Sequence, residues 1–155
     1  MAGLDRACFP EPIPGDELLA YLKLPAAGLE EGMLSLANVG PMEVPLALMF
    51  LLPEDDGGFR PTSYMLMVVR ESYCLIERIG VHPNQRGKGY AAGLLAAAAL
   101  SGKDVGIRHW GVELPEQDLP SQQFFRHMGF KAMPATDESR GWFGNEDAVV
   151  MTRTI

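Results

Sequence analysis

The sequence predicts an α/β fold organised on a central, mostly antiparallel sheet, and three features predict it. Residues 46–52, 64–69 and 73–81 are apolar runs of strand length, separated by Asp55-Asp56-Gly57-Gly58 and by Arg70-Glu71-Ser72. They read as an antiparallel meander. The last run passes through Pro83-Asn84 and a glycine-rich turn straight into an alanine- and leucine-rich helix over residues 89–100. A strand over residues 105–114 follows that helix, which implies a right-handed crossover between two strands of one sheet.

Length and composition narrow the class. A chain of 155 residues suits one domain, taken as 1–155, with room for a core. With 47% hydrophobic and 21% charged residues, it has the balance of a soluble globular protein. No apolar run reaches the roughly 18 residues of a membrane span, and no signal peptide opens the sequence. A cytoplasmic protein without membrane contact is therefore expected. The net charge of −7 argues against nucleic acid as a partner, because phosphate contacts need a basic field. Cys8 and Cys74 lack metal-type spacing and read as reduced thiols; no nucleophile motif surrounds Cys8. His82 and His109 have no partners at ligand spacing, so no metal is expected.

Taken in order, residues 3–9 and 15–23 read as two short helices around Pro10-Glu11-Pro12-Ile13-Pro14-Gly15. Gly15 or Asp16 would cap the second, whose apolar face is Leu18, Leu19 and Leu22. Residues 33–39 read as a strand that ends at Gly40-Pro41. The helix over 89–100 has almost no polar face, so it is expected to be covered on more than one side, which leaves room for a homodimer. Ser101-Gly102-Lys103 is expected to end it. Leu119-Pro120-Ser121 opens a further helix, with Phe124, Phe125 and Met128 as apolar positions and Gly129 as its left-handed stop. Strands over 130–133 and 148–155 complete the chain, with Trp142 and Phe143 in the polar loop between them.

The chemistry concentrates between Leu75 and Leu95. Glu77, Ile79 and Val81 share one strand face, and Arg78, Gly80 and His82 the other. Arg86-Gly87-Lys88-Gly89-Tyr90-Ala91 then leads into the helix. A helix start has unpaired N–H groups and a positive dipole end, and so forms an anion site to which Arg86 and Lys88 add charge. A carboxylate inside an apolar strand costs free energy unless it is solvated or paired. Glu77 therefore either faces a cleft or forms an ion pair with a neighbouring strand, for instance through Arg70.

That turn matches R-x-x-G-x-[GA], the acetyl-coenzyme A pattern of the GNAT N-acetyltransferase superfamily. Phe124-Phe125-Arg126-His127-Met128-Gly129-Phe130 resembles the second signature of that family, F-Y-x-x-x-G-F. The two motifs stand in the family's order and, with Ile79-Gly80-Val81-His82-Pro83, the resemblance covers about half of the chain. The opening Cys8-Phe9-Pro10-Glu11-Pro12 faintly resembles the start of the ribosomal-protein alanine acetyltransferases.

The resemblance implies the GNAT acyl-CoA N-acyltransferase fold, a mixed sheet splayed between the strand ending at Val81 and the strand starting near Val105. Acetyl-CoA would lie in that gap as cosubstrate. Its pantetheine amides would pair with the backbone of Ile79, Gly80 and Val81. Its diphosphate would rest on the N–H groups from Arg86 through Gly87, Lys88, Gly89 and Tyr90 to Ala91, with Phe124 also at the cofactor. A Cβ at Gly87 or Gly89 would hold the phosphates away. Arg86 occupies the motif position and Lys88 a variable one. Backbone donors near Val81 would polarise the thioester carbonyl.

The resemblance further implies that Glu77 is the general base when a primary amine, on a small molecule or a peptide, attacks acetyl-CoA in a ternary complex. Two residues depart from the family. Phe125 stands where tyrosine serves as general acid, and phenylalanine has no proton to donate. Asp118 stands where an asparagine often contacts the cofactor. Ser121 and His127 are near Phe125 in sequence but are expected at the surface. Acidic segments at Glu54-Asp55-Asp56, from Glu113 to Asp118, and at Asp137-Glu138 with Glu146-Asp147 are read in or beside loops. There they would draw a cationic amine to the cleft mouth. Trp142 and Phe143 would wall an acceptor pocket or form a subunit contact. The alternative is an acyl-CoA binding or sensing domain without catalysis, motivated by Phe125. A nucleotide-type phosphate module is disfavoured, because G-x-x-x-x-G-K-[ST] is absent.

Overall fold

Six strands form one mixed sheet in the spatial order β1-β2-β3-β4-β6-β5. In the computed structural model, which describes residues 2–10, 12, 14, 44–53, 58–70, 72–133 and 148–155, these are β1 (Val44–Pro53), β2 (Phe59–Arg70), β3 (Tyr73–Val81), β4 (His109–Pro115), β5 (Lys131–Ala132) and β6 (Ala148–Thr154). Three helices accompany them: α1 (Ala2–Cys8), α2 (Tyr90–Asp104) and α3 (Leu119–His127). The expected helix over 15–23, the strand over 33–39 and the Asp55-Asp56-Gly57 turn lie outside the described residues. So do Glu54-Asp55-Asp56, Asp137-Glu138, Glu146-Asp147, Trp142 and Phe143.

The expected meander is present. β1 pairs with β2 and β2 with β3, both antiparallel, and β3 pairs in parallel with β4 across α2. Every residue from Tyr64 to Val69 is buried, so β2 shows a continuous apolar run rather than an alternation. On one face Met65, Met67 and Val69 join Cys74, Ile76, Trp110, Val112 and Met151 in the main core, with Leu94, Leu95 and Ala98 of α2 and Phe125 of α3. On the other face Tyr64 and Leu66 pack with Leu4 of α1. The sheet is thus covered on both sides beneath β2 and β3. Among the described residues no helix is long and apolar enough to cross a membrane.

Two boundaries differ from expectation for one physical reason. The helix does not stop at Ser101-Gly102-Lys103, and the next strand starts at His109, not near Val105. Gly102 stays helical because it lies against Trp110, where an added Cβ would come 2.8 Å from Cζ2. The stop is Gly106, at φ 87°. The N–H of Ile107 donates to the Gly102 carbonyl at 2.8 Å and that of Gly106 to the Lys103 carbonyl at 3.3 Å, a Schellman closure that uses up residues 105–107. α3 ends the same way at Gly129. Phe130 N–H donates to the Phe125 carbonyl at 2.9 Å, and their rings meet edge-on at 5.1 Å. The signature ending Gly129-Phe130 is, physically, a helix stop with its hydrophobic clasp.

α2 is covered on one side only among the described residues. Leu94, Leu95, Ala98 and Gly102 are buried, whereas Ala96, Ala97 and Leu100 face solvent. Its outer alanines are accounted for by helix propensity as well as by burial.

Candidate active site

The pairing of β3 with β4 runs from Tyr73↔His109 to Ile76↔Val112 and goes no further. Beyond it, Ile79, Gly80 and Val81 stay paired with Met65, Tyr64 and Ser63 of β2, while Glu113, Leu114 and Pro115 stay paired with β6. Each strand is held by its outer neighbour, and the sheet opens between them. Backbone groups along the inner edges are left for a ligand with peptide-like amides. A cavity of about 870 Å³ occupies the opening, lined by β3, the following turn, the start of α2, the end of β4 and α3.

A β-bulge starts the divergence. Leu66 opposes Arg78 and Met67 opposes Ile76, so Glu77 is one residue more than β2 can match. The alternation read from Glu77 onward is consequently out of phase with the strand before it. Ile76 faces the main core, and Ile79 packs against that same core although it is three residues on. Two adjacent charges, Glu77-Arg78, between apolar positions at that odd spacing were the signal of a bulge.

Of the residues singled out above, Glu77, Ile79, Gly80, Val81, Arg86, Gly87, Gly89, Tyr90, Ala91 and Phe124 all line this cavity. Lys88 does not; its ammonium donates to Gln85 Oε1 at 2.7 Å. Arg86 folds back instead of reaching forward, with Nε 3.3 Å from the Val81 carbonyl and Nη2 3.3 Å from the Cys8 carbonyl. Its own N–H donates to the Pro83 carbonyl at 3.3 Å, which removes it from the expected row of free donors. Gly87 (φ 75°) and Gly89 (φ 82°) are in the left-handed region, with open space where a Cβ would stand. Gly89 is the N-cap of α2 and offers no side-chain acceptor, so no side chain caps the first N–H groups of the helix. Tyr90 is steadied by Phe50, ring centroids 5.9 Å apart.

Two carboxylates stand at the fork. Glu77 follows the last paired residue of β3, and Glu113 follows the last paired residue of β4. Both line the cavity, and in both the partial burial of the carboxyl pushes its pKa above the ordinary value. Glu113 is therefore a strand residue at the fork, not part of an acidic loop. It sits between Val112 and Leu114 in an apolar strand, the same sequence signal that marked Glu77.

On the α3 side, Phe125 is 4% exposed and packs edge-on against Phe124 and Phe130, each at 5.1 Å. Its packing role is retained and no hydroxyl exists there. Asp118 caps α3, its Oδ1 accepting from Ser121 N–H at 3.2 Å, which gives that departure a structural reason. Ser121 is half-buried and lines the cavity, contrary to its expected surface position, whereas His127 is exposed and its Nδ1 lies 2.7 Å from the Gln123 carbonyl.

The opposite wall was not foreseen. Cys8 and Phe9, brought there by α1, line it together with Arg78 of β3. Burial, outweighing the attraction of Arg86, pushes the Cys8 thiol up, so it is a poor nucleophile at neutral pH. Burial takes Cys74 up to about 12. Among the described residues no three His, Cys, Asp or Glu side chains gather as a metal-binding group.

Residues 50–132 match the family described as "Acetyltransferase (GNAT) domain". No curated protein matches the sequence significantly. Solved structures do match in fold. The ribosomal-protein-S18-alanine N-acetyltransferase from Escherichia coli aligns with TM-score 0.65 at 15% identity, covering 99% of this chain and 84% of that one. Nourseothricin acetyltransferase aligns at 0.53 and 21% identity, covering 70% and 65%. The PaiA N-acetyltransferase from Thermoplasma acidophilum, in complex with coenzyme A, aligns at 0.54 and 16% identity, covering 69% and 61%. The alignments thus span under two thirds of the length of the latter two proteins.

Proposed function

As this chain belongs to the GNAT acetyltransferase family by the match over residues 50–132, we propose that it transfers an acetyl group from acetyl-CoA to a primary amine. The observation that carries this reading is the opened sheet, whose gap leads to a left-handed glycine turn and a bare helix N-terminus. A cavity of about 870 Å³ is at the upper end for ligand sites, which suits a cosubstrate as large as acetyl-CoA.

In this reading the edge of Ile79, Gly80 and Val81 binds the pantetheine amides. The N–H groups of Gly87, Lys88, Gly89, Tyr90 and Ala91 hold the diphosphate, with Phe124 against the arm. Arg86 and Lys88 contribute positive potential rather than direct contacts, since their side chains are engaged elsewhere. Glu77, or a water it orients, takes a proton from the amine, whose nitrogen bonds to the acetyl carbon as the C–S bond breaks. Backbone donors near Val81 stabilise negative charge on the carbonyl oxygen. Glu113 places a second carboxylate across the fork, and the pair favours an acceptor that arrives as a cation. Phe125 donates no proton, and the coenzyme A thiolate departs as a thiolate or takes a proton from water. The acceptors named for the neighbours, a ribosomal-protein S18 alanine and nourseothricin, are the ones to try first.

The test is release of coenzyme A thiol across a panel of primary amines, with turnover expected for at least one. Saturable acetyl-CoA binding with no turnover on any amine would instead support the second reading, a binding or sensing domain, which the buried Phe125 favours.

A further inference from the structure

Behind the bulge, on the face away from the main core, lies a buried polar cluster that the proposed chemistry does not use. Asp5 of α1 and Tyr64 of β2 are both 0% exposed. The Tyr64 hydroxyl donates to Asp5 Oδ1, and Arg78 Nη1 reaches the same oxygen at 3.1 Å. The Arg78 guanidinium also lies 4.4 Å from the centroid of the Phe9 ring, and Phe9 meets Tyr64 edge-on. A fully buried carboxylate so engaged is costly to assemble and needs a reason.

The register supplies one. In an unbroken strand Arg78 would share the face of Ile76 and enter the core among Met65 and Met67. Only with Glu77 bulged out does Arg78 turn to the face of Leu66 and Tyr64, where Asp5 receives it. Gly80 fits that register too, since a Cβ there would collide with the ring of Tyr64. Each charge in the cluster is satisfied in the bulged register and stranded in the regular one. We propose that Asp5, Tyr64 and Arg78 are positioning residues that lock the β3 bulge, and thereby hold the Glu77 carboxyl at the fork of the sheet. Buried polar groups fix register in this way in other settings, by penalising the alternative rather than by adding stability.

The proposal rests on Glu77 being the base, so its test reads Glu77 without turnover as well as with it. The experiment is NMR titration of the Glu77 carboxyl in the whole protein, wild type against Asp5→Asn. The charged or titratable groups that share the cavity with it are Glu113, Arg78, Asp118, Arg86, Cys8 and Tyr90. Loss of the Asp5 charge removes one negative partner of the Arg78 cation next to Glu77, and a relaxed bulge lets more water reach the carboxyl. Both effects act downward, so the Glu77 midpoint should fall by about one pH unit. With an active enzyme, the acid limb of kcat/KM should move down with it, and kcat should drop about tenfold or more. If the wild type acetylates nothing, the enzymatic reading falls and the titration still decides this one.

A folded Asp5→Asn protein with the Glu77 midpoint unmoved would overturn the lock. Where Asp5→Asn does not fold, Tyr64→Phe keeps the ion pair and removes one donor. Hydrogen exchange should then quicken at the amides of residues 77–79 while α2 stays protected. Unchanged exchange there, or an equal rise in α2, counts against it.

Discussion

Glu77 combines two demands that conflict. As the proposed base it needs partial burial to be useful near neutral pH, and that burial disfavours its charged form. Its folded pKa is raised by desolvation, so the folded state binds its proton more tightly than the unfolded chain does. Stability from this group is therefore highest at low pH and declines as pH rises through the window between the ordinary carboxylate value and the raised one. Glu77→Gln should lower kcat about 10²- to 10⁴-fold with acetyl-CoA affinity unchanged. The same variant should melt no lower than wild type at pH 7, and any advantage should vanish in acid. A normal rate would remove Glu77 as base; a Tm falling at every pH would refute the desolvation argument. Phe125 makes the opposite case, since its value is packing. Phe125→Ala should cost about 3–5 kcal/mol in urea unfolding, as a buried aromatic clasped by two others leaves a cavity that cannot close.

Among the elements, the helix ends matter most, because they aim the turn and α3 at the cavity. α2 is pressed on β4 at Gly102, where Trp110 Cζ2 and Ile107 Cβ leave no room for a methyl group. Gly102→Ala should therefore cost about 1–3 kcal/mol by overpacking, although alanine is the better helix former. A gain in Tm would show that propensity outweighs the contact. Sequence periodicity reported that a helix was there but not where it stopped. Gly102 and Gly106 are both plausible stops by composition, and only the contact with Trp110, from a different element, separates them. The bulge is a similar case. It was visible as an odd spacing of Ile76 and Ile79, yet its register was settled by β2.

At the scale of the molecule, the sheet is divided between two sets of partners. β1, β2 and α1 hold β3, β6 holds β4, and the space between is open to a ligand. A ligand bound there spans both halves, so acetyl-CoA at about 100 times its Kd should raise the unfolding free energy by about 2.7 kcal/mol, read as a rise in Tm. Gly89→Glu should weaken acetyl-CoA about tenfold or more in calorimetry, since it sets a carboxylate against the proposed diphosphate site and strains a residue at φ 82°. Equal affinity would move the diphosphate away from this turn.

The sequence alone determined the meander, the strand-turn-helix at Arg86 to Ala91, the family, and one of the two fork carboxylates. Those features are local: periodicity, left-handed glycines and caps act over a few residues, so neighbouring letters encode them. The tertiary structure alone decided that Glu113 stands across from Glu77, that Arg86 turns back to α1, and that Asp5 meets Arg78 across 73 positions of chain. Such contacts depend on which strands pair and which faces are covered, and no stretch of sequence carries that information until the chain has closed upon itself.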